Sequence, residues 1–154
     1  YTSNQLLTLA GRQSFQGGIS EAKFSGGVTV NGGLSYGNRV GPDQPFDVRG
    51  RIEIDPRHQG QPGFLAVAAI THTGETLIKN EQGQFVAYQP EQQLIPVTQR
   101  KVLSAVEEIE IFRQFVARSI GIDSISVDFL IGYGLDSNPD ELYFHQQPIN
   151  LLVE

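Results

Sequence analysis

The sequence predicts an all-β protein, an antiparallel β-sandwich of the immunoglobulin-like or a related Greek-key type. Short segments of alternating apolar and polar residues recur at intervals of about 8–12 residues, which is typical of a sandwich. The chain of 154 residues contains 17 glycines, more than the usual ~7%, and glycine costs about 1 kcal/mol inside a helix. Only 18% of the residues are charged. These observations favour strands and turns over helices.

Turn residues and a proline delimit the predicted strands of the first half. Val28 and Val30 alternate with polar residues immediately before an Asn-Gly-Gly turn signal at 31–33, as expected for a strand that enters a tight turn. Apolar and charged residues alternate over 46–55, which is the period of a half-buried strand. Pro56 ends this strand, because proline lacks the amide that a ladder needs.

The middle of the chain carries the clearest strand signal. Residues 64–70 form a continuous apolar run of strand length, which predicts a central strand buried on both faces. The run is far too short to span a bilayer, so we predict no membrane insertion. Residues 76–78 and 84–88 are predicted to pair as a hairpin around a polar turn at 80–83.

Residues 98–120 fit two patterns. Apolar residues between Val102 and Ile120 recur near helical spacing, and several good helix formers lie among them. The same stretch also suits a strand, with Glu108 and Glu110 facing water and apolar residues between them. The local pattern alone favours the helix.

The C-terminal third alternates more regularly. Residues 124–133 place apolar side chains on one face, which predicts a half-buried strand. We predict a turn over 135–141, a strand over 142–144 and a closing strand over 149–153. The apolar face of the first strand consists of Ile125, Val127, Phe129 and Ile131.

Three segments of the chain resemble a known family. They are FSGGVTVNGG at 24–33, DVRGRIEIDPRHQGQPGFLAVAAI at 47–70 and ISVDFLIGYGLDSNPDELYFHQQPINLLV at 125–153. They resemble an uncharacterised extracellular β-sandwich module of large bacterial surface proteins, chiefly of filamentous gammaproteobacteria. The resemblance implies an extracellular location at the cell surface, and it brings no assigned activity or site residues.

The resemblance also decides the ambiguous segment. It implies that residues 107–116 form a strand, and we adopt that assignment in place of the helix. One departure is clear, because the related modules often carry a tryptophan before a Leu-x-Pro segment, here 94–96, whereas this chain has no Trp.

The composition excludes several classes of function. A net charge of −6, with 11 scattered Lys and Arg residues, argues against a nucleic-acid partner, which requires a basic surface. The chain has no Cys, so disulfides, thiolate metal sites and a cysteine nucleophile are excluded. It has no Met and begins at Tyr1, so we expect a mature chain or part of a longer one.

The sequence predicts a protein that is not an enzyme. His58, His72 and His145 lie in or beside predicted turns, and none has the spacing of a metal-binding pair. A Ser-His-Asp triad stays open, because a triad is assembled in space, but we identify no Gly-x-Ser-x-Gly elbow for its serine. Glu108 and Glu110 lie on one predicted strand face, which favours a solvated surface over the paired carboxylates of a glycosidase. We therefore predict neither catalytic nor cofactor-binding residues.

Residues 136–141 carry the most suggestive group of ligands. Asp136, Asn138 and Asp140 offer oxygen ligands at alternate positions of a predicted turn, as a loop that binds calcium does. The twelve-residue calcium loop with its glycine and terminal Glu is incomplete. Asp and Asn also favour turns by bonding their own backbone, so a calcium site and an ordinary turn are the two interpretations.

Residues 1–14 are predicted to be a segment distinct from a sandwich domain at 15–154. The segment lies outside the resemblance and carries Leu6, Leu7 and Leu9. We predict that it is a strand donated to a neighbouring copy, an arrangement that generates an open filament. The alternative is that it forms the first strand of its own sandwich.

The sequence favours a structural subunit of an extracellular bacterial filament or surface layer, pilus-like, that assembles with copies of itself. Exposed sheet edges are the physical basis of this assembly, because their unpaired amides accept an added strand. The alternative is a ligand-binding or sensing module, for carbohydrate or calcium, within a larger surface protein. Sugar-binding platforms display Trp or Tyr in a row, and here the tyrosines are dispersed.

Overall fold

The fold consists of short strands that form two sheets. A computed structural model describes residues 5–88 and 97–154, so the Leu-x-Pro segment at 94–96 lies outside the described residues. The strands in those ranges are β1 (Leu7–Leu9), β2 (Gln13–Ser14), β3 (Lys23–Thr29), β4 (Arg39–Val40), β5 (Phe46–Glu53), β6 (Pro62–Thr71), β7 (Thr76–Lys79), β8 (Phe85–Ala87), β9 (Gln99–Val102), β10 (Val106–Phe115), β11 (Ile125–Leu135), β12 (Asn138–Phe144) and β13 (Ile149–Val153). One 3-10 helix, Ala117–Ile120, connects β10 to β11. In the described ranges no helix is long and apolar enough to cross a membrane.

The two sheets differ in size. The small sheet has four strands in the order β1-β3-β5-β10, and all of its pairs are antiparallel. The large sheet runs β2-β12-β11-β6-β7-β8, with β9, β13 and β4 attached beside this path. Its pairs are antiparallel except that β4 lies parallel to β13. The arrangement confirms the prediction of an all-β antiparallel sandwich.

The central pair of the large sheet is β6 and β11. The two strands pair from Thr71 opposite Val127 to Gly63 opposite Leu135. On its other edge β6 pairs with β9 and then β7, while β11 pairs with β13 and then β12. The apolar run at 64–70 lies inside the central strand β6, as predicted. The prediction of burial on both faces holds for its first part only, because Ala68 is half-buried and Ile70 is exposed on the outer face.

The sheets pack face to face across one apolar core. The predicted inner face of β11 is confirmed, since Val127, Phe129 and Ile131 are buried there. Phe46 and Ile52 of β5 meet them from the small sheet. Full burial of a side chain of this size contributes about 1.5–3 kcal/mol, so these facing rows hold the sheets together.

The ambiguous segment forms β9, β10 and the single 3-10 turn. Burial alternates along β10, with Ile109 and Ile111 inward and Glu108 and Glu110 outward. Pairing with β5 over the length of β10 buries the isoleucines in the core, which outweighs helix propensities of less than 1 kcal/mol per residue. The prediction of a strand over 107–116 is confirmed.

The turn predicted over 135–141 is wrong in length. β11 continues to Leu135 and β12 begins at Asn138, so only Asp136 and Ser137 turn the chain. Asn138 and Asp140 have the composition of a turn, but the pairing of Leu135 with Asn138 extends the ladder into them. Strand pairing outweighs local turn preference here.

The N-terminal segment contributes one strand to each sheet of its own chain. β1 lies antiparallel to β3, with Leu7 opposite Gly26 and Leu9 opposite Phe24. β2 pairs with β12 of the large sheet. Residues 1–4 lie outside the described residues. In the single chain β1 therefore belongs to its own sandwich, as the alternative interpretation expects. Donation of this strand to a neighbouring copy stays a prediction.

Candidate functional site: sheet edges and the two ends of the sandwich

The small sheet ends in two edges, formed by β1 and β10. Among the described residues, β1 pairs with β3 alone and β10 pairs with β5 alone. The edge of a sheet presents backbone N–H and C=O groups that accept another strand. The edges of β1 and β10 are therefore the candidate assembly site.

One hydrogen bond fixes the direction of the amides on β10. The backbone N–H of Ile54 donates to the carbonyl oxygen of Ala105 over 2.9 Å. Because hydrogen-bonded and non-bonded pairs alternate in an antiparallel ladder, the next residues that face β5 with their backbone groups are 107 and 109. Val106, Glu108 and Glu110 direct their N–H and C=O groups outward, away from β5.

A lysine limits the open part of this edge. Lys79 of β7 donates a hydrogen bond from Nζ to the carbonyl oxygen of Ile111 over 3.0 Å, which joins the two sheets. Burial lowers the pKa of Lys79, although nearby Glu110 opposes that effect. The open stretch of β10 therefore runs over 106–110.

The predicted assembly leucines lie at the opposite edge. Leu9 is buried in the core, whereas Leu6 and Leu7 are half-buried. The same alternation applies to the pairing of β5 with β3 and of β3 with β1. Leu7 and Leu9 therefore direct their backbone groups towards β3, and Thr8 directs its N–H and C=O outward. The structure thus brings two of these leucines onto β1 and places Leu6 directly before it.

The outer face of the small sheet is charged. Arg51 lies opposite Glu108, and Arg49 lies opposite Glu110 on the neighbouring strand. These four side chains line a shallow depression of about 870 Å³ on this face. Donors and acceptors therefore alternate across the surface beside the open edge of β10.

Asp47 holds one side of this face in place. Its carboxylate accepts hydrogen bonds from Nη2 of Arg49 and from the backbone N–H of Gln114, each over 2.8 Å. Burial alone would raise the pKa of Asp47, but these hydrogen bonds outweigh it and lower the pKa below its usual value. Gln114 has a positive φ of 47°, so this carboxylate stabilises the irregular end of β10.

One end of the sandwich, called the polar end here, is defined by Asp55, His58 and Tyr133. Oη of Tyr133 lies 2.5 Å from Oγ of Ser20 and 2.8 Å from Nδ1 of His58. Burial raises the pKa of Tyr133 to about 12 and lowers the pKa of His58. Both groups are therefore neutral at pH 7 and bonded to each other, which is a packing role and not that of an activated nucleophile.

Two buried carboxylates fix the chain between β2 and β3 at the polar end. Asp55 accepts hydrogen bonds from the backbone N–H of Glu21 and from the backbone and side chain of Arg57. The hydrogen bonds from Arg57 hold the pKa of Asp55 far below its usual value. Glu141 accepts from the backbone N–H groups of Gln16 and Gly18, each over 2.9 Å. These carboxylates satisfy amides that no strand pairs.

The other end of the sandwich, called the phenylalanine end here, is defined by Phe46, Phe112 and Phe115. The rings of Phe112 and Phe115 stack with their centroids 4.8 Å apart, and Phe46 meets Phe115 edge to face at 5.8 Å. A cavity of about 300 Å³ lies beside these rings between the two sheets. The core is therefore incompletely filled at this end.

The predicted calcium ligands are exposed at the corner between β11 and β12. Asp136, Asn138 and Asp140 are all exposed, and an oxygen of Asp136 lies 3.8 Å from Nη1 of Arg100. Within the described ranges no group of three or more His, Cys, Asp or Glu side chains could hold a metal ion. The calcium site stays a prediction, with a guanidinium beside one of its three ligands.

The three histidines occupy separate places. His145 is fully buried, where Nε2 accepts from the backbone N–H of Ile131 over 3.1 Å and Nδ1 donates to the carbonyl oxygen of Gln147 over 2.7 Å. Burial lowers the pKa of His145 to about 4. His58 belongs to the polar end, and His72 is bonded to the backbone of Ser126 near the end of β6.

Residues 33–37 match the Gly-x-Ser-x-Gly pattern of a nucleophile elbow, so the prediction that the sequence lacks this pattern was wrong. An elbow needs a strand that turns sharply into a helix. Ser35 instead lies in the loop between β3 and β4, where Nδ2 of Asn31 donates to its Oγ over 2.8 Å. The pattern therefore belongs to a turn.

Comparison of the chain with protein-family models, with curated proteins and with solved structures found no match.

Proposed function

We propose that this chain is a structural subunit of an extracellular bacterial filament or surface layer, and that its copies join through the edges of the small sheet. The observation that carries the proposal is the pair of open edges on one sheet. β10 offers outward amides over 106–110, and β1 offers a short strand at the other edge. Because the two edges differ, their union is head to tail, and such a union builds an open filament when the rotation between successive copies does not close into a ring.

The N-terminal segment supports a second form of the same contact. β1 is three residues long and is the outermost strand of its sheet. A strand of this kind exchanges readily, because a neighbouring copy offers the identical groove beside β3. Donation of β1 would bury Leu9 in the next copy instead of its own, so each copy would complete the sheet of its neighbour.

A proline substitution tests the edge of β10. Glu108→Pro removes one outward N–H, whereas the inward amides that pair with β5 remain, and proline is tolerated at such edge positions. We expect the parent chain to form oligomers or fibres and the variant to stay a folded monomer. The matched control is Glu108→Thr, which removes the same carboxylate but keeps the N–H and should still assemble. Light scattering after size exclusion and negative-stain microscopy measure both.

Removal of residues 1–13 tests strand donation. A chain that only donates this segment should fold without it and remain monomeric. Failure of the shortened chain to fold would contradict donation, because it would make β1 an integral strand of its own sandwich. A parent chain that stays monomeric at high concentration and high salt would contradict assembly altogether, since salt screens the repulsion between copies of charge −6.

The charged depression favours a second candidate function, a carbohydrate-binding module. Arg49, Arg51 and Glu110 present alternating donors and acceptors, which suit the hydroxyl groups of a sugar. Arg51→Ala should abolish retention on an immobilised polysaccharide, whereas Lys23→Ala, elsewhere on the same face, should not.

Calorimetry with calcium chloride at millimolar concentration tests the predicted calcium site at Asp136, and the absence of heat would rule that site out.

A further inference from the structure

We propose that the cavity at the phenylalanine end is a binding site for a neutral, apolar small molecule of about the size of two fused aromatic rings. The site does not include β1 or the open stretch of β10 at 106–110, so it goes beyond a role in assembly. Its volume of about 300 Å³ lies at the lower end of the range of small-molecule sites in proteins.

The residues that line the cavity are apolar, with Thr71 as the exception. The large sheet contributes Ala69, Val127 and Phe129, and the small sheet contributes Phe46 and Phe112. A bound polar group would therefore lose its hydrogen bonds to water without gaining others, at a cost that such a ligand does not recover. The chemistry of the walls selects a ligand that binds by apolar and aromatic contact.

The one lining side chain with a hydroxyl is already engaged. Oγ1 of Thr71 lies 2.9 Å from Oγ1 of Thr73 and accepts a hydrogen bond from the backbone N–H of Glu75 over 3.2 Å. These partners belong to the loop after β6, so the hydroxyl is directed to that loop. Thr71 consequently adds no polar anchor to the cavity.

The lining offers no partner to an anionic ligand. None of the residues that line the cavity is charged. Arg118, which follows the lining residue Ala117, is already held by Asp43 over 2.7 Å and by Asp123 over 3.2 Å. A fatty-acid carboxylate would lose its hydration without gaining an ion pair, so the ligand is neutral.

The size and the rings indicate the class of ligand. Apolar cavities of about 150 Å³ stay dry and bind benzene, and this cavity has about twice that volume. Phe112 contacts Phe129 edge to face with ring centroids 5.8 Å apart. Aromatic pairs of this geometry contribute more free energy than the burial of their apolar area alone. A two-ring aromatic ligand would therefore add further ring contacts to the existing cluster.

The cavity has an opening to solvent. Ile120 of the 3-10 helix lines it and is nevertheless 61% exposed. A side chain that both lines a cavity and faces water lies at its mouth. A ligand can therefore enter beside the 3-10 helix without separation of the sheets.

A fluorescence titration tests the site. The probe is naphthalene, a neutral molecule of two fused aromatic rings whose emission changes when it leaves water, and the expected result is saturable binding of one molecule per chain. Ala69→Leu fills the cavity from the inner face of β6 and should weaken binding at least tenfold. Ala68→Leu is the matched control, because Ala68 lies on the opposite face of the same strand, in a smaller apolar groove of about 140 Å³.

Methyl NMR of the parent chain locates the probe independently of any variant. The methyl signals of Ile122 and Ile125, which line the cavity, should shift, whereas those of Ile70 and Ile78 in the outer groove should not. Saturable binding that survives Ala69→Leu and is lost in Ala68→Leu would overturn the proposal, because the probe would then occupy the outer groove. The absence of saturable binding to the parent chain would overturn it as well.

Discussion

The polar end and the phenylalanine end fill the same sandwich in opposite ways. At the polar end Tyr133 is fully buried and bonded to Ser20 and His58. At the phenylalanine end Phe46 is almost as deeply buried, yet a cavity remains beside it. Hydrogen bonds have a fixed length and direction, so they lock one end. Apolar contact has no direction, so it tolerates a space that a ligand can occupy.

The largest effect is expected from Asp55→Ala at the polar end. The substitution leaves the backbone N–H of Glu21 without its acceptor and releases Arg57. A hydrogen bond to a charged group contributes about 1.5–3 kcal/mol, and Asp55 accepts several, so we expect the free energy of unfolding to fall by about 3 kcal/mol. Urea denaturation measures it. Glu53→Ala, an exposed carboxylate nearby on β5, should change it by less than about 0.5 kcal/mol.

Acid should destabilise the protein through its buried histidines. Burial lowers the pKa of His145 from 6.5 to about 4, so between these values the unfolded chain binds more protons than the folded chain. Stability from this group is complete above pH 6.5 and is lost as the pH falls towards 4, by an amount on the order of 3 kcal/mol. Denaturation at pH 7.5 and pH 4.5 measures the loss.

Two variants identify the source of this pH dependence. His145→Gln should remove most of the fall in stability between pH 6.5 and 4, although it lowers stability at pH 7.5; the part that remains comes from His58, whose pKa burial also lowers. His72→Gln, the same replacement at an exposed position, is the matched control. An unchanged profile in His145→Gln would show that the polar groups elsewhere carry the effect.

At the phenylalanine end a larger side chain should stabilise the fold. Ala69→Leu adds apolar volume to the cavity, and cavity-filling changes commonly contribute about 0.5–2 kcal/mol. We expect a gain of about 1 kcal/mol in the free energy of unfolding, measured by urea denaturation, and no gain from Ala68→Leu. A loss in Ala69→Leu would mean that this end is as tightly packed as the polar end.

The smallest effect is expected at Arg118 in the 3-10 helix. Arg118→Ala removes the ion pairs with Asp43 and Asp123, which are largely exposed. Exposed pairs contribute about 0.2–1 kcal/mol and are screened by salt. Thermal unfolding should show a loss of at most about 0.5 kcal/mol that disappears in 1 M salt. A loss that persists in salt would assign the 3-10 helix a packing role.

The periodicity of the sequence was sufficient to predict most strands because burial follows it directly. The run at 64–70 and the alternation of Val127, Phe129 and Ile131 required only that each strand bury its apolar face. The segment at 98–120 was different, since its local pattern alone favours a helix. Only its pairing with β5 makes it a strand, and that pairing joins residues 53 to 69 positions apart.

The candidate site was predictable only in part. The leucines at 6, 7 and 9 indicated an apolar N-terminal strand, and the structure places β1 at an edge. The cluster of Ser20, His58 and Tyr133 has no signature, because its members come from three loops or strands far apart in sequence. The cavity beside Phe112 had none either, since a space between side chains is a property of packing and not of any residue.

The sequence by itself determined the all-β class, the inward faces of the long strands, and the absence of disulfides and of a basic surface. These follow from composition and from periods of two residues, which act locally along the chain. The tertiary structure decided which edges stay open, which carboxylates replace missing strand partners, and which end of the core is left underfilled. Each of these depends on which distant segments come into contact, and the local pattern of the sequence does not show that.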